Sequence, residues 1–297
     1  MYEDDYMGYT PTVGNLVFIV VWFILLVAQT SLAILSREFL FGLFMVLGCV
    51  LEFLGFIGRL ALNRDGPTFF HFYTMSIIGT LTSPLFFMAA IYQCFDGSGR
   101  LIEIFGKEYS LVKPINYRRI FLPLNALCFL VQIIGGGIAG GVGRDGTVDQ
   151  YITSKTGLYI MFAGLILQLV TMTGFMVIGG YFVHRVGANR NYLDQRFTEI
   201  RKTKLFKGVM WSLCVAVPLI YIRSVFRAVE TACLWGNSSM IHTEILFLVL
   251  DGAFCVIAVL LLTVFHPGRL FKKTRSVIQV DDIALHRIKD TDGRSMI

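Results

Sequence analysis

The stretch YIRSVFRAVE, residues 221 to 230, carries Arg223, Arg227 and Glu230, and it follows directly on the apolar run KGVMWSLCVAVPLI. Ionisable side chains inside such a run pair with one another, line a path for an ion, or receive the charged end of a ligand. Two other apolar runs hold comparable sets, Glu52 with Arg59 and Glu244 with Asp251. In all three runs the outermost charged residues are seven apart, two turns of helix, which places them on one face. Arg223 and Arg227 are expected to meet acids such as Glu52, Glu230 or Asp251. Gln132 and Gln168 add amides near the middle of their own runs, with Asn125 deeper, while Pro84, directly after Ser83, and Pro218 each remove a backbone donor and weaken a turn. This pattern predicts a polar cavity ringed by interrupted helices and open to the outside. Its lining is read as Glu52, Arg59, Gln132, Gln168, Arg223, Arg227, Glu230, Glu244 and Asp251, a site that binds or passes a substrate. The competing reading is that the charges only lock helices together. Glu52→Gln or Asp251→Asn is expected to abolish function with the fold retained, and equal loss of folded protein would favour the lock.

The elements that position these residues follow from composition. Of the 297 residues 55% are hydrophobic and 15% charged, which is the balance of a membrane protein. Seven runs reach the length of about 20 residues that a helix needs to cross a bilayer: 14–35, 39–60, 68–95, 120–141, 157–183, 207–230 and 243–265. The expected fold is all-α, with seven transmembrane helices and no separate catalytic domain. Segments 36–38, 96–119, 184–204 and 266–275 carry one, five, six and four Lys or Arg, against none, one, two and none in 1–13, 61–67, 142–156 and 231–243. The basic side is read as cytoplasmic, so the N-terminus lies outside and the C-terminus inside. Residues 1–13 form an extracellular N-terminus, 14–270 the membrane domain, and 271–297 a cytoplasmic tail whose mixed charges and weak periodicity predict disorder. The acidic start lacks the basic leader of a signal peptide, so the first helix is expected to stay as an anchor.

The net charge of +6 sits in these cytoplasmic segments, where it faces anionic lipid, and no nucleic-acid partner is indicated. The inner loops hold possible short helices in RLIEIFGKEY and YLDQRFTEIRKTKLF. The second could lie on the membrane surface, and both loops could hold a cytosolic partner. Six cysteines and five histidines are scattered without the spacing of a metal site, and no phosphate-binding loop exists, so no metal, cofactor or enzymatic activity is expected. In IIGGGIAGGVG, Gly136 and Gly140 are four apart, as are Gly137 and Gly141, and strip one helix face of side chains. Close helix packing is one reading of Gly135, Gly136, Gly137 and Gly140, and a moving hinge or lipid-entry groove the other. Asn237 begins a weak glycosylation pattern, NSS.

The runs EFLGFIGRL, SPLFFMAAIYQCFDGSGRLI, FLPLNALCFLVQIIGGGIAG, GLYIMFAGLILQLV, YIRSVFRAVE and EILFLVLDGAFCVIAVLLLTVFHPGRLF resemble the fungal lipid-translocating exporter family, also called RTA-like, over residues 14 to 270. The resemblance places that family's pattern on Glu52, Arg59, Pro84, Gln132, Gly135, Gly136, Gly137, Gln168, Arg223, Arg227, Glu230, Glu244, Asp251, His266, Pro267 and Gly268. Asn125 departs from it, since the family is expected to have Asp there. The resemblance implies lipid movement or tolerance of amphipathic toxins at the plasma membrane. The favoured expectation is a translocase for an amphipathic molecule such as a sphingoid base, a sterol-like compound or a porphyrin. The alternative is a seven-helix receptor or sensor of membrane stress. An intramembrane hydrolase fits less well, because the histidines lie at helix ends and in loops.

Overall fold

A computed structural model describes residues 12–61, 69–95, 101–106, 113–141, 148–189, 197–233, 248–271 and 274. Every described element is helical, as an apolar chain in a water-free medium requires, since a helix satisfies its own backbone groups. In chain order the long helices are α1 (Thr12–Ser36), α2 (Phe39–Ala61), α3 (Phe69–Phe95), α5 (Pro114–Gly141), α6 (Val148–Ala188) and α8 (Lys204–Cys233). A π-helical turn, Leu248–Ala253, leads into α9 (Phe254–Val264). Two short helices, α4 (Leu101–Phe105) and α7 (Thr198–Lys202), lie between long ones. Among the described residues, seven helical segments are long and apolar enough to span a membrane.

Some boundaries differ from those expected, for local reasons. The fourth span starts at Pro114 rather than near 120, because proline is well suited to the first position of a helix. The fifth extends back to Val148, since no Gly or Pro interrupts VDQYITSKT, and its 41 residues reach about 60 Å. The two-residue turn between α1 and α2 closes through Arg37 at φ 58°, in the left-handed region.

Helices α2 and α3 pack closely along a seam of small residues. A Cβ built on Gly79 would lie 2.6 Å from the Leu51 carbonyl oxygen and 3.0 Å from the Gly55 Cα. Gly136 meets Ile78 and Gly140 meets Thr74 on α3, Gly135 meets Gly157 and Met161 on α6, and Gly137 has nothing within 4 Å. Gly79→Val is therefore expected to push α3 off α2 and lower stability by about 1–3 kcal/mol. Gly137→Ala should be neutral or stabilising by up to about 1 kcal/mol. Thermal unfolding of the two purified variants checks both.

Toward the α1–α2 turn the bundle is filled by aromatic rings. Phe175 of α6 packs on Tyr92, with centroids 4.8 Å apart, on Phe95 at 5.3 Å and on Phe121 at 5.5 Å. Beside them the short helices close in. Phe105 packs on Phe182 and Phe206, and Arg201 of α7 donates to the Ile104 carbonyl at 2.9 Å. Phe197 and Ile200 are buried in the core, so the described part of YLDQRFTEIRKTKLF packs against the bundle through these side chains.

Candidate functional site

Glu52 lies near the middle of α2, with Gly48 and Gly55 one turn to either side. The close seam with α3 brings its carboxyl onto the Ser83 hydroxyl. The next residue, Pro84, has no N–H, so the carbonyl of Thr80 four residues earlier loses its helical donor. That carbonyl accepts Arg223 Nη2 at 3.0 Å. The helix break thus creates an acceptor inside the membrane, and an arginine from α8 occupies it.

Arg223 uses its whole planar fork. Nε donates to Asp251 Oδ1 at 2.9 Å, while Nη1 donates to Ser83 Oγ at 3.2 Å and to Cys255 Sγ at 2.9 Å and forms an ion pair with Glu52. One turn on, Arg227 Nε and Nη2 clasp the two Asp251 oxygens at 2.6 and 2.8 Å. Nη2 also donates to Thr80 Oγ1 at 2.7 Å, and Nη1 to Glu230 Oε2 at 2.9 Å. Asp251 sits in the π-helical turn, a distortion common at functional positions. Its neighbour Gly252 leaves room for the Phe18 ring of α1.

Glu52, Arg223 and Asp251 have no exposed surface, whereas the Glu230 side chain is 28% exposed. The cavity expected to be open is therefore closed at these residues. Two guanidiniums spend their donors on three carboxyls, two hydroxyls, a carbonyl and a thiol, and in a low-dielectric interior such mutual saturation favours closure. A second polar chain lies on neighbouring helices: Gln132 Nε2 donates to Gln168 Oε1 at 2.8 Å, and Gln168 Nε2 to Ser224 Oγ at 3.3 Å, Ser224 being the residue after Arg223. Asn125 Nδ2 donates to the Leu85 carbonyl at 2.8 Å, a bond that an ionised Asp has no hydrogen to make.

The structure thus brings together Glu52, Arg223, Arg227, Glu230 and Asp251. Gln132 and Gln168 form a separate chain that ends at Ser224, the residue after Arg223, whose hydroxyl donates to the Ile220 carbonyl. Arg59 lies in the last turn of α2, about 10 Å along the helix from Glu52. Pro218 lies inside α8, ahead of both arginines. Glu244 and Asn237 lie outside the described residues. Sequence reasoning missed Thr80 and Cys255. Each had a signal: Thr80 precedes a helix proline by four, and Cys255 follows Asp251 by four.

Pro84→Ala tests the freed carbonyl. Alanine removes a helix penalty of about 3 kcal/mol but returns an N–H that competes with Arg223 for Thr80, a charged bond worth about 1.5–3 kcal/mol. The expected result is a melting temperature that is unchanged or raised, together with reduced activity.

Spanning helices around a closed cluster of arginines and carboxyls define a polytopic membrane protein with an intramembrane ion-pair core. Residues 45–274 match the family model described as RTA1 like protein, and the chain belongs to that family. It is 28% identical over 303 residues to the sphingoid long-chain base transporter RSB1 of Saccharomyces cerevisiae strain S288c, covering 93% of this chain and 76% of the relative. It is 26% identical over 239 residues to the lipid-translocating exporter-like protein RTA1 of Ajellomyces capsulatus, covering 79% of this chain and 70% of that one. With the protein RTM1 of Saccharomyces cerevisiae it shares 25% identity over 187 residues, 62% of this chain and 53% of that one. No solved structure matches the chain.

Proposed function

We propose that this protein translocates an amphipathic lipid with a cationic headgroup, of the sphingoid-base kind, and that the ion-pair cluster receives the headgroup. The observation that carries the reading is Asp251, a fully buried carboxylate held by two arginines from one helix. An ammonium group can take the place of either guanidinium at Asp251 or Glu52, so a ligand opens the lock by exchanging one cation for another. The names of the relatives support the substrate class. The hydrocarbon tail stays in lipid along the exposed apolar faces of the outer helices.

The distribution of basic residues supports an N-terminus outside and a C-terminus in the cytoplasm, with the plasma membrane as the location. In that orientation Glu230 is nearest the outer surface, and the aromatic rings around Phe175 close the inner half. We read the protein as non-catalytic, with Pro84, Pro218, Gly135, Gly136 and Gly140 as the positions where helices yield.

The test is transfer of a fluorescent sphingoid base between leaflets of liposomes that hold the purified protein. Protein-dependent transfer that is lost in Arg223→Ala and retained in Gly137→Ala supports the reading. Absence of transfer by folded protein sinks it and turns attention to a sensor that the same lock would serve.

A further inference from the structure

Helix α1 contributes no titratable side chain to the molecule, yet it carries four polar or indole residues at a strict interval of seven: Asn15, Trp22, Gln29 and Ser36. All four are buried, with relative exposures of 0%, 0%, 0% and 9%, so they form one inward stripe along the length of the helix. Each holds a polar atom with no hydrogen-bond partner among the described residues: both amide atoms of Asn15, Trp22 Nε1, Gln29 Oε1 and Ser36 Oγ. Buried groups of this kind are rare and are normally satisfied by ordered water.

Near Trp22 one aromatic ring, Phe87, separates the stripe from the turn of α2 that carries Glu52. Trp22 stacks on Phe87 of α3 at 6.0 Å, Phe87 fills the space beside Gly48, and Gly48 is one turn from Glu52. Glu52 Oε2 is itself buried without a partner. At its other end the stripe reaches His266, since Gly268 lies between Ser36 and the His266 ring. His266 Nδ1 accepts the Gly268 N–H at 3.1 Å, which puts the ring hydrogen on Nε2, and Nε2 is buried without an acceptor. Midway, Gln29 Nε2 donates to Thr263 Oγ1 at 2.7 Å, tying the stripe to α9.

The charges around Glu52 are uneven. The cluster holds Glu52, Glu230 and Asp251 against Arg223 and Arg227. Arg227 gives two bonds to Asp251, one to Glu230 and one to Thr80, while from the arginines Glu52 receives an Nη1 that Arg223 shares with Ser83 and Cys255. The other titratable groups around Glu52 are Cys49 one turn back on α2 and Cys255 on α9, and neither supplies a positive charge. A proton on Glu52 removes the excess. It can be donated to Ser83 Oγ, whose own hydrogen then goes to the Thr80 carbonyl at 3.2 Å.

We propose that the buried face of α1 holds a chain of bound waters linking Glu52 to His266 beyond the end of α9, and that transport exchanges a proton for the cationic headgroup along it. This rests on the reading of the cluster as a headgroup site. Glu52 as a carboxylic acid loses its proton to the water chain, and the arriving ammonium balances the carboxylate left behind. One positive charge enters as one leaves. The side chains of the stripe anchor the waters. The indole of Trp22 only donates and cannot itself relay, whereas Ser36 and the waters can.

The experiment uses the full-length protein in phosphatidylcholine liposomes with sphinganine as the probe. Infrared spectra should show a carboxylic-acid carbonyl band that is absent in Glu52→Gln, kept in Glu230→Gln and lost when sphinganine is added. Ser83→Ala, which leaves every charge in place, should shift that band because the acid loses its acceptor. A pH-sensitive dye should record proton release on addition of sphinganine, slowed about tenfold or more in Gln29→Leu and Trp22→Phe, variants that leave every ion-pairing side chain in place. If the acid band is missing or survives Glu52→Gln, Glu52 is not the carrier and the proposal falls. Proton release at the wild-type rate in both stripe variants removes the water chain. Sphinganine that moves without proton release overturns the exchange and leaves the transport reading standing. Sphinganine that neither moves nor releases a proton brings down both.

Discussion

Asp251→Asn should unfold a large share of the protein as well as stop lipid transfer. The substitution keeps the shape and removes the charge that holds Arg223 Nε and Arg227 Nε and Nη2, leaving two guanidiniums close together with Glu230, and Glu52 when it is ionised, to offset them. Breaking a buried pair from one side costs about 3–5 kcal/mol, a large part of a typical domain's stability. The expectation from sequence, that function would go while the fold stayed, is revised by the closure of the site. Unfolding of the detergent-solubilised variant, followed by intrinsic fluorescence, measures the loss. The double variant Arg227→Gln/Asp251→Asn should recover more than about 1 kcal/mol of it relative to the sum of the single changes, since contacting groups do not act additively. Transfer should remain absent in the double variant. An Asp251→Asn protein as stable as the wild type would show that the carboxylate serves transport alone.

Arg223→Lys keeps the charge and should still eliminate most of the activity. The guanidinium bonds Asp251, Ser83, Cys255 and the Thr80 carbonyl in one plane, and three of these partners lie on different elements. A lysine ammonium on a flexible stem is a point charge that cannot reproduce this fork. Losing two charge-assisted bonds at about 1.5–3 kcal/mol each predicts destabilisation of about 3 kcal/mol or more. Arg227→Lys should be milder, because that side chain lies next to the partly exposed Glu230, where water can replace a lost bond. Thermal unfolding and sphingoid-base transfer of the two variants, compared side by side, check the order. Equal effects would mean that total charge, and not the fork, holds the site.

Much of this was legible before any coordinates. The apolar runs set the helices and their number, because an unpaired backbone group in lipid leaves no alternative to helix. Arg223, Arg227, Glu230, Glu52 and Asp251 stood out because ionisable groups in such runs are expensive to bury unpaired. Helix ends were less legible. Polar turns such as VDQYITSKT continue a helix wherever nothing breaks it, so α6 begins at Val148, ahead of the apolar run that marks it in the sequence.

What the sequence alone determined is the class of molecule and its charged residues, since both follow from local composition and a period of 3.6 residues. Only the tertiary structure decided which acid meets which base, because the partners come from α2, α3, α8 and the turn before α9, far apart in the chain. The same holds for the Thr80 carbonyl, which the proline frees locally but which gains its use from an arginine 143 residues away. Whether the cluster is open or closed was likewise beyond the sequence. It depends on how closely α2 and α3 approach, and that distance is set by glycines on both helices meeting backbone to backbone.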